Sequence, residues 1–393
     1  MISVNRPPRF LALDSLRGVC ACIVALLHLR STGVITNLAL VRNGWLFVDF
    51  FFVLSGFVIA AGYGDRLRKG FPIRRFMLLR FGRIYPLHLA VLLAFLLLEL
   101  TWSVFGSAQV SGRQPFGEPR TILEFVINLG LLQIFGIREF LTWNSPSWSI
   151  AAEMWTYLLA AIALRVTGSR FPLFLMVVIP ASLLIMWFTG DGALDRTYSM
   201  SLVRCVYGFG FGTLAWSVFR TRIQAISWRR STATGIEIAI AIACALLVAS
   251  SGNSRWTFLA PPVFFLAILI FAMERGAISN LLTLKPFVFV GTLSYSIYMI
   301  HSFVEARALD VSTFAGGLLG VELAKIEPYD GKTLKTFVGA GPLADISVVL
   351  TLVLVIAVAW ISFRLIEKPF RELSRSYARR LGVASAERVA PAL

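Results

Sequence analysis

Apolar runs of about 18 residues or more recur along most of this chain, and each is long enough to cross a bilayer core of about 30 Å. With 57% hydrophobic and 15% charged residues, the chain is too apolar to cover itself with a soluble exterior. A segment inside hydrocarbon must satisfy its own backbone hydrogen bonds, so uninterrupted runs of this length are helices. The sequence therefore predicts an all-α polytopic membrane protein.

The segments that are apolar enough to be candidate spans are residues 11–30, 45–62, 84–104, 122–137, 148–166, 172–189, 198–219, 234–251, 257–274, 288–305 and 345–366. Short segments rich in Lys and Arg indicate the cytoplasmic side of a membrane. Three such segments lie at 65–83, 220–230 and 364–380. Arg6 and Arg9 place the N-terminus on the same side.

One of the candidate segments cannot cross the membrane, because the basic segments fix which side the ends of the neighbouring spans face. An even number of crossings has to lie between residue 104 and the span 198–219. The weakest candidate there is 122–137, a short segment that carries Glu124, Asn128 and Gln133. We predict a re-entrant or half-helix at this place. About ten transmembrane helices remain, with both termini cytoplasmic.

The predicted organisation is a single transmembrane domain over residues 1–375 and a short basic cytoplasmic tail over 376–393. The longest connections, 105–121 and 306–344, both face outward in this topology. The second is too polar to insert into lipid. It either covers a site or is a plain solvated loop.

The net charge of +16 comes from basic clusters between spans, so it indicates topology and contacts with anionic membrane lipids rather than nucleic acid. The cysteines lie in apolar runs without paired spacing and are expected to be small buried hydrophobic residues. The cysteines lack metal-binding spacing, and the sequence contains no HExxH motif, so no metal site is predicted.

The first span keeps three ionisable residues, Asp14, Arg17 and His28, where lipid makes each of them costly. Asp14 lies one turn before Arg17 and is expected to pair with it. Arg17 and His28 share a helix face and are roughly 16 Å apart along the axis. The alternative is that Asp14 and Arg17 form a packing pair and His28 is an interfacial residue.

A second buried carboxylate follows the start of a later helix. Pro146 and Ser147 are typical of a helix start, and Glu153 lies about a turn and a half further on. By the crossing count, Glu153 lies at roughly the depth of His28, so the two could act as an orienting carboxylate and a general base. The alternative is that Glu153 only bonds a neighbouring helix.

Arg80 and Arg83 lie one turn apart at the cytoplasmic end of the third span. They are either phosphate-binding residues or anchors in the headgroup layer. His301 and Glu367 are interpreted mainly as interhelical bonding residues, with a helix stop at Pro369. No role is predicted for His88. Arg204, which precedes the small-residue segment 208–212, is expected to serve packing.

Several ordered motifs resemble the membrane acyltransferase family 3, bacterial multi-span enzymes that O-acylate carbohydrates and related acceptors. The resemblance covers about residues 9–375, and its most specific element is the Arg-ten-residues-His pattern of Arg17 and His28. The other motifs, in chain order, are FVDFFFVLSGFVIA at 47–60, Arg80-x-x-Arg83, PSWSIAAEMWTY at 146–157, LSYSIYMIH at 293–301 and IEKPFR at 366–371.

This resemblance implies an O-acyltransferase of the bacterial inner membrane, with acyl-CoA as the donor and no permanently bound cofactor. The acceptor would be a carbohydrate or glycolipid, and acetyl is the default acyl group. No oligomeric state follows from it. Because the last motif ends about twenty residues before the final residue, we expect the form without an appended soluble domain.

The resemblance also suggests roles for individual residues. His28 and Glu153 would be catalytic, and Arg17, Arg80 and Arg83 would bind the donor. Many relatives carry a second carboxylate after the first, whereas Met154 stands here. The structural or supporting residues would be Asp14, Ser147, Trp148, Tyr157, His301 and Glu367.

The rival class of function is a transporter or flippase without chemistry. In it, Arg17, Glu153 and Arg204 would form a path for substrate or protons. The chain shows neither an internal repeat nor a matched pair of broken helices. These absences favour the enzyme.

Overall fold

A computed structural model describes residues 9–105, 114–189, 192–329, 332–339 and 342–387. Arg6, part of the outer connection 105–121 and the last residues of the predicted tail, 388–393, lie outside these ranges.

The described residues are mostly helical, with one small two-stranded sheet. The helices are α1 Leu11–His28, α2 Ala39–Arg42, α3 Phe47–Ile59, α4 Asp65–Arg68, α5 Ile73–Phe105, α6 Ile122–Leu129, α7 Ser147–Thr167, α8 Phe171–Phe188, α9 Ser201–Val218, α10 Arg230–Ser251, α11 Ala260–Phe271, α12 Ala277–Leu282, α13 Lys285–Leu319, α14 Leu343–Ser362 and α15 Lys368–Glu387. The strands are β1 Ala324–Tyr329 and β2 Lys332–Phe337.

Eight helical segments of the described chain are long and apolar enough to cross a membrane: Leu11–His28, Gly44–Arg68, Ile73–Phe105, Ser147–Phe188, Ser201–Ile223, Arg230–Ser251, Lys285–Leu319 and Leu343–Leu381. The segment Ser147–Phe188 has 42 residues and contains both α7 and α8. A shorter apolar helix lies at Arg255–Phe271. The all-α polytopic class is therefore confirmed, while the count of ten spans and the cytoplasmic termini stay predictions.

The segment 122–137 contains only the eight-residue helix α6. At 1.5 Å per residue, such a helix covers about 12 Å, which is well short of a bilayer core. α6 begins with a capping box, in which Thr121 and Glu124 bond each other's backbone N–H groups. The structure of this segment thus agrees with the predicted half-helix.

The expected helix stop at Pro369 is wrong. A π-turn at Phe363–Glu367 leads directly into α15, which carries Pro369 as its second residue. The chain stays helical through Pro369 because the π-helical residues directly before it already depart from the regular α-helical hydrogen-bond pattern, so the missing proline N–H interrupts little. The helix continues to Glu387, so it also includes the first part of the predicted tail.

The chain divides into two compact units. The first comprises Met1–Gly62, Leu175–Arg196 and Val203–Ala359, and the second comprises Tyr63–Phe174, Thr197–Leu202 and Trp360–Leu393. Each is described by itself.

In the first unit, α1 packs along α13 at very short range. A Cβ atom on Gly18 would lie 2.6 Å from the backbone nitrogen of Gly291, so glycine at both positions lets the two backbones meet. Gly212 of α9 likewise lies against the backbone of Val53 in α3. The expected close helix approach at 208–212 is therefore confirmed.

The connection 306–344 is more ordered in the first unit than either prediction for it assumed. α13 continues to Leu319, and β1 and β2 then form an antiparallel hairpin. Phe337 N–H donates to the Arg30 carbonyl at 2.9 Å, and Thr32 N–H donates to the Phe337 carbonyl at 3.0 Å. The hairpin is thus joined to the backbone two to four residues after His28.

In the second unit, α5 packs against α7 and α15. Gly82 of α5 lies against the Ser374 side chain of α15, where a larger residue would collide. His88, also on α5, is fully buried, and its Nε2 lies 3.0 Å from the carbonyl of Asn128 on α6. The structure therefore gives His88 a local bonding role between these two helices.

Candidate functional site

Arg17 on α1 directs its guanidinium group toward α13. Nη2 lies 3.4 Å from Asp14 Oδ1, so the predicted ion pair is confirmed. Nε donates to Ser294 Oγ at 2.7 Å, and Nη2 donates to the Gly291 carbonyl at 3.3 Å. These contacts fix the direction of the side chain. Its proposed contact with the donor stays a prediction.

His28 ends α1 with an exposed side chain. Its Nδ1 lies 2.8 Å from the Val24 carbonyl oxygen one turn earlier. Because a carbonyl oxygen only accepts, this contact assigns the proton of the neutral ring to Nδ1. Nε2 then carries the lone pair, which is the arrangement that a general base requires.

His301 of α13 lies beside His28. The two ring centroids are 4.8 Å apart, and the ring planes are inclined by 51°. His301 is fully buried, and neither of its ring nitrogens has a hydrogen-bond partner among the described residues. An unpartnered buried polar group costs about 1–3 kcal/mol, so such groups call for an explanation in function.

Glu305 follows His301 by one turn of α13 and was missed in the sequence. Glu305 is 3% exposed, and its Oε1 has no hydrogen-bond partner in the described part of the chain. Residues four apart on a helix have Cβ atoms about 5–6 Å apart. Its sequence signal was an acidic residue at the end of the predicted span 288–305, four positions after a histidine.

Glu153 lies in the second unit, on α7, and accepts a hydrogen bond from the Tyr157 hydroxyl one turn further on. The Tyr157 ring packs edge-on against Phe76 of α5, with centroids 6.3 Å apart. Tyr157 therefore holds the carboxylate in place, and its supporting role in the reaction stays a prediction. The orientation of His28 by Glu153 stays a prediction.

The start of α7 holds α6 and the chain that follows it. Ser147, the first residue of α7, donates from Oγ to Asn128 Oδ1 at 3.2 Å and accepts from Gln133 Nε2 at 3.2 Å. Trp148 is buried beside it. The predicted helix start at Ser147 is confirmed, and both residues fit a structural role.

Arg80 and Arg83 lie one turn apart on α5, which begins eleven residues before the predicted span at 84–104. Arg80 Nη2 donates to the Tyr63 hydroxyl at 3.3 Å, and its guanidinium carbon lies 5.0 Å from the centre of that ring. Nε of Arg80 is buried without a partner among the described residues. A buried, unpartnered guanidinium N–H is a donor that suits an anionic ligand.

Glu367 is buried in the π-turn before α15, and its Oε1 lies 3.9 Å from Arg371 Nη1. This pair lies within one continuous helix, so the interhelical bonding expected of Glu367 stays a prediction.

Arg204 forms a buried ion pair and not only the apolar packing that was expected. Nε and Nη2 donate to the two carboxylate oxygens of Asp49 at 3.0 and 2.7 Å. The side chains of both residues are at most 1% exposed, and the Arg204 guanidinium carbon lies 5.2 Å from the centre of the Trp45 ring. This bidentate geometry indicates a structural pair, which weakens the transporter alternative that used Arg204 as part of a path.

Within the described ranges, no group of three or more His, Cys, Asp or Glu side chains is arranged to hold a metal ion. The structure describes an imidazole pair on α1 and α13 in the first unit and, separately in the second unit, a carboxylate on α7 and an arginine pair on α5.

A family model described as an acyltransferase domain matches residues 10–364 of the chain. This range contains every residue assigned to catalysis or donor binding. Of the supporting residues, Glu367 alone lies beyond it.

Named relatives of this chain include acetyltransferases. A protein named as the acetyltransferase ORF330, from Acidianus two-tailed virus, is 24% identical over 81% of this chain and 88% of its own length. Protein 2 in picA locus, from Rhizobium radiobacter, is 38% identical over 23% of this chain and 46% of its own length. The peptidoglycan O-acetyltransferase OatA of Listeria monocytogenes is 25% identical over 74% of this chain and 48% of its own length. The chain thus spans about half of each of the last two proteins. No solved structure matches the chain significantly.

Proposed function

This chain belongs to the acyltransferase family whose model it matches and is a multi-pass membrane O-acyltransferase; from that premise we propose that it carries an acetyl group from cytoplasmic acyl-CoA to a hydroxyl group outside. The acceptor is a carbohydrate or glycolipid, and the membrane is the bacterial inner membrane. The name of the Listeria relative, a peptidoglycan O-acetyltransferase, favours acetyl transfer and a glycan acceptor.

The observation that carries this proposal is the 2.8 Å contact of His28 Nδ1 with the Val24 carbonyl oxygen, from which we infer a proton on Nδ1 and a basic Nε2. Nε2 removes the proton from the acceptor hydroxyl as its oxygen attacks the thioester carbonyl. A C–O bond forms, the C–S bond breaks, and the imidazolium returns the proton to the CoA thiolate. In a variant of this step, Nε2 takes the acyl group first and then passes it to the hydroxyl.

Glu153 acts in this mechanism by stabilising the imidazolium, and Arg80 and Arg83 hold the CoA phosphates at the inner face. Arg17 marks the inner end of the cavity that the donor enters. The roughly 16 Å between Arg17 and His28 is comparable to the length of a pantetheine arm. The thioester can then reach His28 while the nucleotide stays near the cytoplasm.

Removal of both guanidinium groups by Arg80→Ala and Arg83→Ala is expected to weaken CoA binding. The loss is about 1.5–3 kcal/mol for each charged hydrogen bond that is removed. Isothermal titration of the purified protein with CoA measures it. Arg74→Ala, which removes an exposed arginine from the same helix, is the matched control and should bind normally. Equal affinity of the double variant and the wild type would remove this phosphate site.

Sealed right-side-out vesicles test the sidedness of the reaction, because neither CoA nor a charged oligosaccharide crosses lipid unaided. Vesicles loaded with labelled acetyl-CoA are expected to acetylate soluble peptidoglycan fragments added outside. They should fail when donor and acceptor are both added outside. Transfer with both substrates on the outer side would contradict a donor site at the cytoplasmic face. A transporter would transfer no label in either arrangement, nor in detergent.

A further inference from the structure

We propose that Glu305 is a positioning residue for the reaction, acting on His28 through His301. This inference rests on the proposed function, because it assigns Glu305 to the same proton transfer. It goes further by adding a carboxylate on α13 that none of the sequence motifs includes.

The first step of the argument is the contact between the two imidazoles. His28 and His301 have ring centroids 4.8 Å apart, so a charge that forms on one ring is felt at the other. His28 is exposed and can meet substrate, whereas His301 is fully buried behind it. His301 therefore acts on the reacting atoms only through His28.

The second step is the set of unpartnered atoms on α13. Three atoms lack a hydrogen-bond partner among the described residues: both ring nitrogens of His301 and Oε1 of Glu305. Glu305 is 3% exposed and follows His301 by one helical turn. The two side chains do not bond each other in this structure, but they lie one turn apart on one face of α13, where a change of side-chain rotamer brings the carboxylate to a ring nitrogen.

The third step is the charge that the reaction creates. When Nε2 of His28 accepts the hydroxyl proton, a positive imidazolium forms next to His301. A carboxylate one helical turn after His301 stabilises that cation and orients the His301 ring against it, as an orienting acid does in a catalytic triad. The proton itself stays on His28 until it is passed to the leaving thiolate, so the balance of the reaction is unchanged.

The surroundings of His28 favour a fixed ring pair over a mobile one. The hairpin strand β2 is joined by backbone hydrogen bonds to Arg30 and Thr32, just after His28. Leu29, Phe337 and Val348 form a buried apolar cluster there. Ala308 and Leu309, on the turn of α13 after Glu305, pack against this cluster, and Glu305 itself is 3% exposed, so its carboxylate interacts strongly with a nearby charge.

The test uses the full-length protein in detergent, with labelled acetyl-CoA and soluble peptidoglycan fragments. Glu305→Gln is expected to lower kcat by about tenfold, a part of the 10²–10⁴-fold typical of proton transfer, and to leave the KM of both substrates within about twofold. Glu305→Asp keeps the carboxylate and should restore part of kcat. Asp310→Asn is the matched control on α13, because Asp310 pairs with Arg307 and Lys335; its kcat should be unchanged.

A double-variant cycle then distinguishes positioning from folding. If Glu305 acts through His301, adding Glu305→Gln to His301→Asn should cause no further loss of kcat. Independent, multiplying losses would overturn the proposal, as would a kcat of Glu305→Gln within about twofold of the wild type. Equal impairment of Glu305→Asp and Glu305→Gln, with a lowered melting temperature in both, would also overturn it. If the wild type transfers no acetyl group, the proposed function fails instead.

Discussion

Replacement of His28 by alanine is expected to lower the rate of acyl transfer by about 10²–10⁴-fold while acyl-CoA affinity stays nearly unchanged. The affinity is expected to persist because the imidazole acts on the acceptor proton, whereas the donor is held by arginines elsewhere. The Nδ1 contact with Val24 gives the physical reason for the large effect. It keeps one ring nitrogen protonated and leaves the other as the base.

The measurement compares transfer of label from acetyl-CoA with CoA binding by titration, both on purified protein. His88→Gln is the matched control, because His88 is a buried histidine that bonds the Asn128 carbonyl. A glutamine N–H can replace that bond, so this variant should transfer at the wild-type rate. If His28→Ala retains more than about a tenth of the wild-type rate, His28 is not the base.

Local spacing on a helix explains which parts of the site could be predicted from the sequence. Asp14 and Arg17 are three residues apart, so any α-helix brings them together, and the structure places them 3.4 Å apart. Arg80 and Arg83 follow the same rule. The helix start at Ser147 was also local, because Pro146 and Ser147 are typical of a first turn.

Contacts between helices distant in sequence could not be predicted in this way. His301 lies 273 residues after His28, and its position depends on the register of α13 along α1, which the Gly18–Gly291 contact sets. The proposed role of Glu305 depends on the contact between His301 and His28, which the sequence alone does not show. A buried pair such as Asp49 and Arg204 was likewise hidden, because each residue alone is simply a polar residue in a span.

The ends of the helices could not be predicted for another reason. Hydropathy indicates whether a segment can lie in lipid, but not whether it is helical. α5 begins at Ile73 although its first turns are rich in arginine, and α13 continues to Leu319 beyond its apolar part. Arginine is a good helix former, so a basic segment before a span can be helical. The hairpin of β1 and β2 was missed because a polar connection gives no apolar alternation over enough residues.

Replacement of Asp49 by leucine is expected to destabilise the protein by about 3–5 kcal/mol, because the buried Arg204 guanidinium loses its bidentate partner and keeps only the longer 3.5 Å contact with the half-exposed Asp195 carboxylate. Asp49 is the bidentate partner of Arg204, and the two side chains are 0% and 1% exposed. Reversible unfolding in detergent, followed by tryptophan fluorescence, measures the free energy of unfolding. The matched control is Asp65→Asn, which breaks an ion pair with Arg68 in which the Asp65 side chain is 53% exposed. That change should cost less than about 1 kcal/mol.

The double variant Asp49→Leu with Arg204→Met separates the cost of a buried charge that has lost its bidentate partner from the value of the pair. Replacing a whole buried ion pair by apolar side chains is often neutral, so most of the lost stability should return. The acyl transfer rate should return with it, because the pair belongs to the scaffold and not to the proposed reaction path. Recovered stability without recovered transfer would instead place Arg204 in the function of the protein. A single variant Asp49→Leu within about 1 kcal/mol of the wild type would show that the guanidinium finds another partner or solvent, and the pair would then lose its proposed structural role.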